Sequence, residues 1–174
     1  MAQNKELENI RHSFAHVLAA SVQKLYPNVE LGIGPVIENG FYYDFGKLKV
    51  DENDLAKIEK EMRNILKEKY AFKKKLWPAA KAVTHYKKEK QPYKLDLIKE
   101  LKKESAKVGM VSTGDMFLDL CRGGHVKNTS ELPADAFKLT KIAGAYWRGS
   151  EENKMLTRIY GLLFATKKEL KEYI

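Results

Sequence analysis

A chain of 174 residues with 44% hydrophobic composition can bury one well-formed core and a small appended part. A single cysteine excludes an internal disulfide, and no apolar run approaches the ~20 residues of a membrane-spanning helix. The formal net charge of +9 sits in one block, because residues 67–107 hold 14 Lys against 5 acidic residues and leave 18 of each sign elsewhere. Such a block suits either a solvated helical face or a phosphate-backbone contact surface, and charge alone does not decide between them. The N-terminal residues lack a signal-peptide core, so the cytoplasm is the expected setting, with no membrane partner.

In chain order, residues 4–26 predict a helix, with Leu7, Ile10, Phe14, Val17, Leu18, Val22 and Leu25 at the 3.6-residue period and Pro27 ending it. His12 and His16 lie off that stripe, on a line with Ala19, Ala20 and Gln23 that leaves room for a ligand or for close packing. Residues 29–45 predict two strands around an Asn39-Gly40 turn. Gly32 and Gly34 allow close backbone approach to a ligand, or mark a bulge. They do not form GxGxxG, and no nucleotide cofactor is expected. A second helix is predicted over 52–69, with the acidic Asp51, Glu52 and Asp54 at its start. A strand at 71–77, a helix near 79–88 and another at about 95–107 complete the basic, largely helical block. From Gly109 the pattern turns β-rich: residues 109–113, 115–121, 137–142 and 155–165. Thr166 is expected to cap a final helix, Lys167–Ile174. That helix ends without a C-terminal cap, as expected of a piece of a longer chain.

The chemistry gathers in two places, Arg11-His-Ser-Phe-Ala-His16 and Asp119-Leu-Cys-Arg-Gly-Gly-His125, which hold three of the four histidines and the one cysteine. Two pairs at i,i+4 spacing, facing each other, supply the three nitrogens and one sulfur of a tetrahedral zinc site, or the polar wall of a hydrolytic pocket. HExxH protease chemistry is excluded, since His12-Ser-Phe-Ala-His16 has no glutamate. Asp119 projects to the same side of its strand as Cys121, where it can orient a histidine or hold a substrate amine. Cys121 itself reads as nucleophile, zinc ligand or small buried residue. His85, in a lysine-rich helix, reads as a surface residue.

His-x3-His with Cys-x3-His resembles the signature of the editing domain shared by threonyl- and alanyl-tRNA synthetases. Ile33-Gly-Pro-Val-Ile-Glu-Asn-Gly-Phe-Tyr-Tyr-Asp44, Gly144-Ala-Tyr-Trp-Arg-Gly149 and Asn153-Lys-Met-Leu-Thr-Arg-Ile-Tyr-Gly161 resemble the bacterial threonyl branch in particular. The likeness covers essentially all of 1–174, with 137–174 as a strand and helix part leading toward a synthetic domain. Many relatives have proline where this chain has Gly124, a change that loosens the turn and leaves both ligand positions intact.

The resemblance implies an α+β fold, an antiparallel sheet covered by helices, with the His-x3-His helix walling a cleft. It implies an aminoacyl-tRNA hydrolase that removes serine from mischarged seryl-tRNA(Thr), acting on the acceptor end of that tRNA. His12, Lys94 and Cys121 are the implied catalytic residues, with His12 positioning or deprotonating water and Lys94 ordering it or stabilising the oxyanion. His16, Gly34, Tyr43, Asp119 and His125 are the implied substrate-binding residues. His12, His16, Cys121 and His125 form a candidate zinc site, although the threonyl branch can work through ordered water instead. The aminoacylation and anticodon-binding domains are the implied partners in a full enzyme, so this chain is not expected to charge tRNA. The rivals are an alanyl-type editing hydrolase, a non-catalytic zinc-stabilised RNA-binding module, and a linker that only positions tRNA.

Overall fold

Helix α1 (Ala2–Leu25) explains the layering of the protein, because it needs covering on every side. From Ser13 to Val22 each of its residues is buried in the computed structural model, which describes residues 2–174. The two buried serines are satisfied within the helix, Ser13 Oγ donating to Asn9 O at 2.7 Å and Ser21 Oγ to Val17 O at 2.8 Å. Ala19 and Ala20 therefore serve close packing in the core.

After α1 come β1 (Glu30–Leu31), β2 (Val36–Ile37), β3 (Gly40–Gly46) and α2 (Leu55–Lys67). Next are β4 (Phe72–Pro78), α3 (Ala79–Lys88), α4 (Pro92–Leu101), β5 (Lys107–Thr113) and β6 (Phe117–Leu120). The chain closes with β7 (Phe137–Tyr146), β8 (Met155–Leu163) and α5 (Lys167–Tyr173). The class is α+β, but there are two antiparallel sheets where one was expected: five strands in the order β1-β3-β8-β7 with β2 also on β3, and three in the order β4-β5-β6. The physical reason is α1. Phe14 packs on Phe41 and Phe137 of the larger sheet, with ring centroids 5.8 and 4.9 Å away, while His16 faces Phe72 and Phe117 of the smaller one at 6.4 and 6.5 Å. The far face of the small sheet packs Val108 and Met110 against Ala79, Ala82, Tyr86 and Ile98 of α3 and α4.

The differences from the local reading have local causes. A 3₁₀ turn (Glu52–Asp54) precedes α2, with Asp54 Oδ2 accepting from Asp51 N and Asp51 Oδ1 accepting from Asn53 N, each at 2.9 Å. Helix α4 starts at Pro92, not near 95, since proline suits the first helical position, and it ends before the strand that begins at Lys107. Residues 67–107 thus hold a strand as well as two helices. Strand β3 registers with β8, and Arg158 grips the directly opposite Asp44 with two bonds of 2.8 and 3.0 Å. Thr166 caps α5 as expected, accepting from Glu169 N at 3.2 Å.

The hairpin turn is Glu38-Asn39, since Ile37 pairs with Gly40 and Asn39 takes the left-handed conformation (φ 65°). Gly40 belongs to β3, where a Cβ would collide with the Gly161 carbonyl of β8. Gly40→Ala is accordingly expected to destabilise the fold by about 1–3 kcal/mol, the usual cost of overpacking, measured as a lower urea midpoint with an unchanged slope.

Candidate functional site

Strand β6 ends beside the core and delivers Asp119 and then Cys121 to one place. Cys121 N donates to Gly109 O at 3.0 Å, and a Cβ on Gly109 would strike the Cys121 carbonyl, so glycine lets the chain pass. Residues 122–126 are irregular, with Gly123 at φ 111° and Gly124 at φ 88°. The φ of Gly124 is closed to proline, so this chain uses the freedom its second glycine provides.

A cavity of about 270 Å³ lies between this loop, α1, the β1–β3 region and α4. His12, His16, Gly34, Tyr43, Lys94, Asp119 and Cys121 all border it. The His12 Nδ1 lies 2.9 Å from Gly124 O, and a carbonyl only accepts, so the ring hydrogen sits on Nδ1. The opposite nitrogen, Nε2, points at Cys121 Sγ at 3.4 Å. Gly123 N donates to the same sulfur at 3.3 Å.

Behind this pair is a buried polar cluster. Asp119 Oδ2 accepts from the Tyr43 hydroxyl at 2.7 Å, and His16 Nδ1 lies 3.6 Å from the same oxygen. Lys94 Nζ is 2.6 Å from Asp119 Oδ1, an ionic contact lying off the axis of a good hydrogen bond. Only 1% of Lys94 and 2% of Asp119 is exposed. Lys94 is therefore set apart from the surface lysines of its block. Burial first, and Asp119 second, hold the Tyr43 hydroxyl well above its ordinary pKa, so it remains a donor. Gly34 acts through Tyr43, because a Cβ there would occupy the tyrosine ring.

His125 stands apart. Its ring is 6.2 Å from that of His12 and 6.0 Å from that of His16, and it stacks on Phe72 at 5.6 Å. Burial pushes its pKa down, with His12 and Lys74 adding to the effect. His85 is half-buried against Trp77 and Tyr86, not a free surface residue.

The zinc set is thus three residues rather than four. His12, His16 and Cys121 each bring a ligand atom within 4.8 Å of the others, and His125 is outside this group. Tetrahedral zinc, with bonds of about 2.0–2.3 Å, wants ligand atoms roughly 3.4–3.6 Å apart. The His12–Cys121 separation of 3.4 Å meets that, and both ring nitrogens of His16 are buried without a hydrogen-bond partner. The donor types suit a three-ligand site with one position open, reached once separations of up to 4.8 Å within the set close toward that range.

Two supports escape a reading by spacing. Ser13 Oγ accepts from Val126 N at 2.9 Å and ties the loop to α1. The Gln91 side chain bonds Leu31 N at 2.6 Å and Val29 O at 3.1 Å, which fixes the start of α4 and so Lys94. A polar residue flanking a histidine or an N1 proline is a weak signal, and nothing in the spacing marks its long-range partner.

Residues 108–160 match the family described as the threonyl and alanyl tRNA synthetase second additional domain. The chain is 49% identical over 169 residues to a threonine--tRNA ligase of Francisella tularensis subsp. tularensis (strain FSC 198), covering 97% of this chain and 26% of that protein. A threonine--tRNA ligase of Francisella tularensis subsp. novicida (strain U112) is 48% identical over the same length and shares. The chain thus spans about a quarter of the length of the curated relatives it matches. Over 97% of its length the chain is thus similar to threonine--tRNA ligases, and residues 108–160 within it match the threonyl and alanyl tRNA synthetase second additional domain.

Proposed function

We propose that the protein hydrolyses the ester joining serine to the terminal adenosine of mischarged seryl-tRNA(Thr), releasing serine and tRNA. The observation that carries this reading is the meeting, around one cavity of about 270 Å³, of a histidine whose Nε2 faces the Cys121 sulfur, a buried lysine and a buried carboxylate. Ester hydrolysis asks for those three things: a group to position and deprotonate water, a cation for the oxyanion, and an anchor for the substrate ammonium.

His12 Nε2 takes the proton as the water oxygen attacks the ester carbonyl, and a ribose hydroxyl of the substrate assists. Lys94 faces the developing oxyanion. The ester C–O bond then breaks, and the departing ribose oxygen takes up a proton. Asp119, held by Tyr43, receives the serine amino group or hydroxyl, with His16 and the Gly34 backbone completing the surroundings and His125 standing outside them. Cys121 borders the water with its sulfur against His12. Zinc, when bound, would be held by His12, His16 and Cys121 and would supply Lewis-acid activation.

Selection explains the need for such a site. One methyl is worth only ~1–3 kcal/mol in a binding pocket, so a synthetic site for threonine admits serine, and a second, smaller site removes it. The partners of this reading are the tRNA acceptor end and, in a full-length cytoplasmic enzyme, the synthetic and anticodon-binding domains. Lys73, Lys75 and Lys81, with Trp77, border a groove of about 540 Å³ beside β4 and suit the tRNA backbone. No described helix is long and apolar enough to cross a membrane.

The test is single-turnover deacylation of seryl- and threonyl-tRNA(Thr) by the protein. Rapid loss of serine alone is expected, and RNA binding without serine release at saturating protein sinks the proposal. Preferential release of alanine from alanyl-tRNA points to the alanyl-type reading. A zinc-stabilised binding module predicts unfolding on metal removal, since structural zinc supplies about 10–16 kcal/mol in zinc fingers. Here the core is continuous around α1, so a chelator is expected to leave the melting temperature unchanged.

A further inference from the structure

We propose that Lys74 is a positioning residue for His12, acting through the loop that follows Cys121. The proposal rests on the hydrolytic reading above for its effect on rate, but not for its structural content. Lys74 pairs with Val111 across β4 and β5, and Val111 pairs with Asp119 across β5 and β6. Residues directly opposite one another share a sheet face, so Lys74 lies on the face that carries Asp119 to the cavity. From the outer strand its stem runs past two glycines. A Cβ on Gly109 would be 3.4 Å from its Cε, and one on Gly123 would be 3.4 Å from its Cδ. Its ammonium donates to Arg122 O at 2.5 Å.

What that bond holds is the most mobile kind of backbone in the site. Gly123 and Gly124 are both at positive φ, and a glycine pair restrains itself poorly. The loop is gripped on either side of them: by Lys74 at Arg122 O, and by Ser13 Oγ at Val126 N, 2.9 Å. Between these grips, Gly124 O holds the hydrogen on His12 Nδ1, and Gly123 N fixes the Cys121 sulfur that faces His12 Nε2. Which ring nitrogen of a histidine carries the proton is set by the bond the other side of the ring makes. Letting go of Arg122 O frees the Gly124 carbonyl, and His12 then loses the contact that keeps Nε2 available to the cavity. Lys74 touches neither substrate nor reacting atoms in this scheme.

The test compares wild type, Lys74→Met and Lys74→Arg. Methionine keeps the apolar stem over the glycines and removes the ammonium, whereas arginine keeps a donor. At saturating protein the Lys74→Met single-turnover rate on seryl-tRNA(Thr) is expected to fall roughly tenfold or more. Affinity for uncharged tRNA should stay within a factor of about two and the melting temperature should not move, because Lys74 is exposed. Lys74→Arg should recover most of the rate. The ¹⁵N spectrum of histidine-labelled protein, with His12 assigned by difference against His12→Ala, should report the Nδ1–H tautomer in wild type and a mixture in Lys74→Met. A general loss of stability would not produce that signature in a folded protein. Weaker tRNA binding with an unchanged saturated rate would make Lys74 a phosphate contact and overturn the proposal. So would an unchanged His12 tautomer. If wild type releases no serine at all, the hydrolytic reading fails, and the tautomer comparison still decides whether Lys74 orders the loop.

Discussion

His12→Ala is expected to lower the single-turnover rate of seryl-tRNA(Thr) deacylation by about 10²–10⁴-fold, the range for loss of a general acid–base group. The expectation rests on position. His12 borders the cavity, Gly124 O fixes its Nδ1 hydrogen, and Nε2 is left facing inward, with the Cys121 sulfur 3.4 Å away. No other histidine matches this. Both ring nitrogens of His16 are buried against the Asp119 cluster, and His125 is stacked on Phe72. Truncation should cost the fold little, since alanine is the best helix former and His12 is only half-buried. The rate and the melting temperature should therefore separate, with the rate collapsing and the midpoint staying close to wild type. A rate within threefold of wild type would remove His12 from the chemistry and leave the water to Lys94 and the substrate ribose.

The local architecture was legible because short-range rules govern it. The 3.6-residue stripe of α1, the strand and helix at 72–88 and the Thr166 cap each depend on neighbours within a turn. The same rule placed His12 and His16 together, their rings 4.9 Å apart. It failed for Cys121 and His125, whose equal spacing is not helical. Two positive-φ glycines lie between them and send His125 toward Phe72. Gly40 misled for the opposite reason: a glycine after asparagine reads as a turn, yet this one is required by the closeness of β8, 121 residues later at Gly161. The split into two sheets likewise depends on pairing between distant strands, which periodicity does not encode. Lys94 was invisible to composition, because a buried lysine and 13 others in the same block carry the same letter. Only the resemblance singled it out.

That lysine carries the second large effect. Lys94→Met is expected to destabilise the protein by about 3–5 kcal/mol, because it leaves the Asp119 carboxylate buried without its ionic partner. For a chain of this size that is a fall in melting temperature of roughly 6–20 °C. Asp119→Asn should fall similarly, since it strands the lysine and also weakens the bond from Tyr43 at 2.7 Å. The two losses should not add. In Lys94→Met with Asp119→Asn both charges are gone, and much of the lost stability should return, because replacing a whole buried ion pair is often close to neutral. Hydrolysis should not return with it. A double variant that is stable again and still inactive would mean that the pair is retained for what its charges do to a substrate rather than for holding the fold. Single variants that lose less than about 1 kcal/mol would mean instead that water reaches these side chains, as for exposed ion pairs, and the dry cluster behind His12 would have to be abandoned.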